Sequence, residues 1–230
     1  MIDPNRELLE SAADLLRPLL DELVFVGGCA TGLLFTDPGS GGVRATQDVD
    51  ATTELSGYGE YATIFERLSA LGLKPDTEVN CRWHHRGLVI DVMPTDGSIL
   101  GFTNRWYSPA VVTATTVNVT GARIRLITAP YFVATKLVAY HGRGGGDIAG
   151  SHDLEDLIAV VDGRNELVDE LAGAAADVRD FVAAEIRRLL DSRVFRDALP
   201  GFLLPDAASQ ARLPPLLERL RALAGLGRLG

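Results

Sequence analysis

The residues that most restrict what this chain can fold into run from Val24 to Asp50. Val24-Phe25-Val26 is a short apolar run of the kind that makes a buried strand. Gly27-Gly28 breaks it, and residues 29–35 resume as the start of a helix. Further on, Gln47-Asp48-Val49-Asp50-Ala51 sets two carboxylates two positions apart. On a strand, alternation turns both to the same face. A third acid, Asp91, lies inside another apolar run, Leu88-Val89-Ile90-Asp91-Val92-Met93. A glycine turn opening a helix, with three acids that can converge, suggests a metal-held triphosphate.

Each piece has a plainer reading. A lone D-x-D is ordinarily a surface turn. It is not a calcium loop, because counting from Asp48 puts Thr53 where the loop needs glycine and Gly59 where it needs a bidentate glutamate. Magnesium, held by one or two carboxylates plus substrate phosphates, fits better. Gly27-Gly28 is neither a dinucleotide fingerprint, since Cys29 follows, nor a P-loop, since no GK[ST] follows. It is a glycine turn leading into a helix N-terminus, which suits an anion and equally suits close packing. Asp91 is the hardest to dismiss, because a buried carboxylate must be ion-paired, protonated or metal-bound. Arg82 or Arg86 across a hairpin is the structural alternative.

Two cysteines cannot make a disulfide framework, which fits a reducing cytoplasm, and Cys81, His84 and His85 lack a fourth zinc ligand. A net charge of −9 argues against a protein whose main task is gripping a phosphate backbone. No apolar run is long enough to span a membrane, so no membrane partner is expected. Periodicity predicts a helix over 4–20, strands over 24–26 and 48–53, and a mobile Gly-rich loop over 36–46. A helix over 58–71, strands over 79–84 and 87–93, and a hairpin over 111–119 and 122–127 follow. After Pro130 the strand signal stops. Helices are expected at 130–141, 153–162, 165–190 (broken near Gly173) and 206–223, with a Gly-rich link over 142–150. Tyr131, Trp83 and Trp106 read as core.

Taken together, Gly27-Gly28, Arg44-x-Thr46-x-Asp48-x-Asp50 and Asp91 resemble the nucleotidyltransferase superfamily related to DNA polymerase β. The second half is similar to the AbiEii-type toxin and minimal nucleotidyltransferase group. The segment from Pro130 through Lys136, then Arg143, then Ser151-His152-Asp153-Leu154-Glu155-Asp156, resembles that group's lysine helix and following D-x-x-D helix. The resemblance covers roughly residues 23–165. It implies an α+β fold, a polymerase-β-like mixed sheet with helices followed by a mainly helical C-terminal half. The catalytic domain would be residues 1–128, with a helical domain over 129–230 completing the active-site cleft.

It also implies a function. An NMP would pass from an NTP to a hydroxyl acceptor: a tRNA 3′ end, a protein or a small molecule. Asp48, Asp50 and Asp91 would bind two Mg²⁺ ions, with Mn²⁺ as a substitute, and Asp91, Lys136 and Asp153 would join Asp48 and Asp50 as catalytic residues. Gly27, Gly28, Cys29, Arg44, Thr46, Lys136 and Asp156 would bind the nucleotide, although relatives often carry Ser or Thr where Cys29 stands. The protein would be a cytoplasmic toxin of a toxin–antitoxin or phage-defence system, with an antitoxin partner. The alternatives are a non-catalytic NTP- or partner-binding module on the same fold and an antibiotic-modifying nucleotidyltransferase.

Overall fold

In a computed structural model, residues 3–143 and 146–226 are described. Gly144 and Gly145 of the Gly-rich link, and residues 227–230 at the end of the tail, lie outside them. The strands are β1 (Leu23–Val26), β2 (Val49–Thr53), β3 (Lys74–Pro75), β4 (Arg82–His85), β5 (Leu88–Pro94), β6 (Thr115–Val119) and β7 (Ala122–Leu126). They form one mixed sheet in the order β3-β4-β5-β2-β1-β7-β6. β1 is buried along its whole length, as a strand with neighbours on both edges and cover on both faces should be. It runs antiparallel to β2 and parallel to β7, and β2 runs parallel to β5. The outer pairs, β4–β5, β3–β4 and β6–β7, are antiparallel.

The chain forms two compact units. A sheet unit comprises Pro4–Ala30 and Ala45–Thr128, and a helical unit comprises Asp3, Thr31–Arg44 and the chain from Ala129 onward. In the sheet unit, α1 (Arg6–Leu15) packs Leu9, Ala12 and Ala13 against the sheet, and α2 (Tyr58–Ala70) buries Ile64 and Leu68. Two short helices, α3 (Gly97–Leu100) and α4 (Tyr107–Thr113), follow β5. In the helical unit, α5 (Ala129–Gly142) is apolar on nearly every side and correspondingly buried from Ala129 to Leu137. Around it pack α6 (His152–Gly163), α7 (Leu167–Gly173) and α8 (Ala176–Asp191). The remaining helices are α9 (Arg193–Ala198), α10 (Ala207–Gln210) and α11 (Leu213–Leu223). α11 packs Leu216, Leu220 and Leu223 against α6, α7 and α8, so the tail contributes to the core.

Most expected elements are present, and the departures have local causes. The first helix stops at Leu15, and Pro18 falls in a 3-10 turn over Arg17–Leu19, since proline cannot continue the hydrogen-bond ladder. The helix expected at 29–35 is a 3-10 helix over Gly28–Leu34. β4 begins at Arg82 rather than at 79, because the Asp76 carboxylate accepts the N–H groups of Glu78 and Val79 and makes a turn there. Val111 and Val112, read as strand, belong to α4, which carries Pro109 in its first turn. The last expected helix is two, α10 and α11, divided ahead of Pro214 and Pro215.

The loop after Leu34 is fixed by long-range bonds within the helical unit. Thr36 and Asp37 each donate a backbone N–H to the Gly163 carbonyl at 2.9 Å. Arg212, at the start of α11, places Nε 2.9 and 2.8 Å from the two Asp162 oxygens and Nη2 2.7 Å from Asp37. The Arg212 guanidinium holds the Asp37 carboxyl below its ordinary range, so this pairing stabilises the fold at neutral pH and is lost only as the pH falls below about 4. Arg212→Ala leaves Asp162 buried without this cation and should cost about 3 kcal/mol in denaturant unfolding at pH 7. The variant's stability should also change less than that of the wild type between pH 7 and pH 3.

Candidate functional site

In the sheet unit, the register places the acids in a row. Asp50 on β2 pairs with Asp91 on β5, and Asp91 pairs with Arg82 on β4. In-register neighbours share a face, and Asp48, two residues before Asp50, shares it too. The sheet thus brings Asp48, Asp50 and Asp91 together, with Arg82 among them. Arg82 donates Nε to Asp91 Oδ1 at 2.8 Å and Nη2 to Asp91 Oδ2 at 2.8 Å, a bidentate fork. The same Nη2 reaches Asp48 Oδ2 at 3.0 Å. The bonds to Asp91 hold the Arg82 guanidinium above its already high pKa. Of the two arginines considered from the sequence, Arg82 is therefore the partner, while Arg86 sits at the hairpin turn with φ 47°.

Gly27 is required by the same cluster. It ends β1 with φ +70°, and a Cβ built on it would fall 1.9 Å from Asp50 Oδ2. The Asp50 carboxylate therefore lies directly over the glycine turn. Cys29 is fully buried, with its thiol 3.6 Å from the Val26 carbonyl. Thr46 donates its hydroxyl to Asp48 Oδ1 at 2.8 Å, and its own N–H is held by the buried Asn5 side chain at 2.8 Å. Asn5 was not anticipated as a site residue, and nothing near it in sequence signals a role at residue 46.

The helical unit holds a second cluster. Lys136 on α5 has a side chain only 9% exposed and meets two carboxylates on α6, Asp156 at 2.7 Å and Asp153 at 3.3 Å. These acids, three apart, share a helix face as the sequence indicates. Arg44 forks onto Asp156 through Nε at 2.9 Å and Nη2 at 3.0 Å. Burial pulls the Arg44 guanidinium down, and the Asp156 carboxylate more than restores it. Arg143 reaches the other Asp153 oxygen at 2.7 Å. Glu155 also acts on Arg44, so the cluster sets three acids against three bases. A cavity of about 170 Å³ opens beside it, lined by Gly41, Gly42, Arg44, Glu155, Asp156 and Leu204 among others.

The other sequence candidates resolve into structural parts. His84 meets Asp76 at 2.6 Å, and the His85 ring meets the Gly72 carbonyl at 3.0 Å. Burial pushes the Cys81 thiol up to about 11, with Asp91 adding to it, so a thiolate ligand is disfavoured there. Tyr131, Trp83 and Trp106 are buried core.

Among the described residues, no group of three or more His, Cys, Asp or Glu side chains is placed so that it could hold a metal ion. The carboxylates at Asp48, Asp50 and Asp91 are hard oxygen donors of the kind Mg²⁺ takes, and Mg²⁺ commonly completes its shell with substrate phosphate and water. The donor types are those such an ion takes, and in the arrangement seen Arg82 supplies the positive charge beside Asp48 and Asp91. Gly27→Ala should destabilise the protein by at least about 1–2 kcal/mol in thermal or denaturant unfolding, through its left-handed backbone and its contact with Asp50. Lys136→Met should cost about 3 kcal/mol by the same measurement, because it strips a cation from two buried carboxylates.

No protein-family model matches the chain, and no curated protein does. Among solved structures, it is similar to an antigenic nucleotidyltransferase-like protein from Paracoccidioides brasiliensis. The match has 19% identity and a TM-score of 0.54, over 95% of this chain and 93% of that one. A nucleotidyltransferase described as putative, from H. pylori, matches at 12% identity with a TM-score of 0.48, over 96% of this chain and 92% of that one. The first likeness shows the fold, a nucleotidyltransferase-like mixed sheet with a mainly helical second half.

Proposed function

We propose that this chain is a metal-dependent nucleotidyltransferase that moves a nucleoside monophosphate from an NTP to a hydroxyl acceptor and releases pyrophosphate. One observation carries the reading: Asp48, Asp50 and Asp91 line one face beside the positive-φ turn at Gly27, on a fold of nucleotidyltransferase type. When bound there, two Mg²⁺ ions, or Mn²⁺ in their place, would neutralise phosphate charge and steady the entering and leaving oxygens. Asp48 and Asp50 would hold them, and Asp91 would join them and take the proton of the acceptor hydroxyl. The backbone at Gly27, Gly28 and Cys29 would meet the β- and γ-phosphates. Thr46 would fix the orientation of Asp48 through the hydroxyl bond already described. Arg44 and Lys136 would supply positive charge to the nucleotide, with Asp153 and Asp156 holding Lys136 or meeting the sugar.

The acceptor is proposed as a tRNA end, a protein or a small molecule, an antibiotic included. The net charge of −9 weighs against extended RNA contact. The likeness of the lysine and D-x-x-D helices to AbiEii-type proteins supports a toxin or phage-defence role with an antitoxin partner. Cys29 and Cys81 form no disulfide, and among the described residues no helix is long and apolar enough to cross a membrane. A cytoplasmic location is proposed, supported by a sequence with too few cysteines for a disulfide framework. A second reading, a non-catalytic nucleotide- or partner-binding module, is favoured by the engagement of Asp48 and Asp91 with Arg82.

One experiment separates the two. Purified protein with Mg²⁺ and each α-labelled NTP is supplied with cell extract as acceptor pool, beside Asp50→Asn. Label should enter RNA, protein or a small molecule with the wild type, and the variant should transfer about a thousandfold less. Full transfer by Asp50→Asn removes the catalytic assignment. NTP binding without transfer by the wild type supports the binding module.

A further inference from the structure

Arg82 touches two of the three carboxylates assigned to the metal, and no motif marks it. Its place is set by strand pairing: β4 puts it opposite Asp91, which β5 puts opposite Asp50. Three carboxylates on one face repel one another and need a positive charge close by. A guanidinium meets that need with a planar fork, takes both oxygens of Asp91 and still reaches Asp48. It also keeps its charge at any working pH, unlike a histidine. From this geometry we infer that Arg82 is a built-in counter-cation of the carboxylate site. It holds Asp48 and Asp91 together when no divalent ion is bound, and it weakens divalent-ion binding by competing for the same oxygens. The inference rests on the reading of Asp48, Asp50 and Asp91 as metal carboxylates.

The two arms of the clamp are unequal. The fork to Asp91 has two short bonds to a side chain 11% exposed, whereas the contact with Asp48 is a single bond to a side chain 31% exposed. Thr46 holds the other Asp48 oxygen, so Asp48 keeps its direction when Arg82 lets go. An incoming ion therefore displaces Arg82 from Asp48 before it competes for the oxygens of Asp91. Removing the guanidinium should do two opposite things at once. The ion-free protein loses stability, because like charges face each other uncompensated, and the ion gains affinity for the same reason.

The test uses the full chain and Mn²⁺ alone, with binding read from the loss of the free-ion paramagnetic resonance signal. Wild type, Arg82→Gln and Arg82→Lys are compared, with circular dichroism as the fold check. Arg82→Gln should bind Mn²⁺ about tenfold or more tighter than wild type, melt lower without the ion, and gain more in melting temperature when Mn²⁺ is added. Arg82→Lys, which keeps a charge but cannot fork, should fall between the two. Should Arg82→Gln fail to fold, tighter binding by Arg82→Lys supports the inference and equal or weaker binding overturns it. Mn²⁺ binding by a folded Arg82→Gln that is equal to or weaker than that of wild type overturns it and makes Arg82 a residue that only positions the carboxylates. Absence of Mn²⁺ binding by wild type and both variants brings down the metal reading itself, and the inference with it.

Discussion

A carboxylate taken out of water needs a positive charge within reach, and both units of this chain are arranged around that requirement. In the sheet unit the need is met across strands, where Arg82 faces Asp91 and Asp48. In the helical unit it is met across helices and a loop, where Lys136, Arg44 and Arg143 surround Asp153 and Asp156. Replacing such buried pairs by apolar residues of similar size is often neutral or stabilising. Both clusters therefore carry a desolvation cost that the surrounding fold offsets.

The cations differ in kind for geometric reasons. Lys74 and Lys136 are the only lysines in the sequence, so Lys136 stands out against a background of arginine. Its ammonium is a compact point charge that fits between two carboxylates on one helix face. Arg44 and Arg82 instead each present a flat fork to one carboxylate, Asp156 and Asp91 respectively, and Arg82 reaches on to Asp48. An exchange of the two residue types would disturb both clusters.

Much of this was legible in the sequence because the signals are local. The strand–glycine–helix turn at Val24–Gly28, the alternation at Asp48 and Asp50, and the loss of strand signal after Pro130 all report on neighbouring residues, and the sheet and its helical second half follow from them. What sequence periodicity missed depends on partners far along the chain or on competing turn chemistry. Val111 and Val112 have strand preferences, yet the helix beginning at Tyr107 carries them along. Arg82 could be named as a partner of Asp91, but its further reach to Asp48 depends on strand pairing that no local pattern encodes. Asn5 supports Thr46 across a gap of 41 residues and left no trace in the motif.

The excursion between β1 and β2 has a consequence for how the chain is made. These strands are partners in the sheet unit, yet Thr31–Arg44, which joins them, belongs to the helical unit along with everything after Thr128. During synthesis the sheet can close over β1, β2, β5 and β7 once residue 126 has emerged, while the loop's partners at Asp156, Gly163 and Arg212 do not yet exist. Arg44 meets its partner only after Asp156 is made, and Asp37 only after Arg212 is. Neither unit is one continuous stretch of chain, so neither can be obtained by truncation alone.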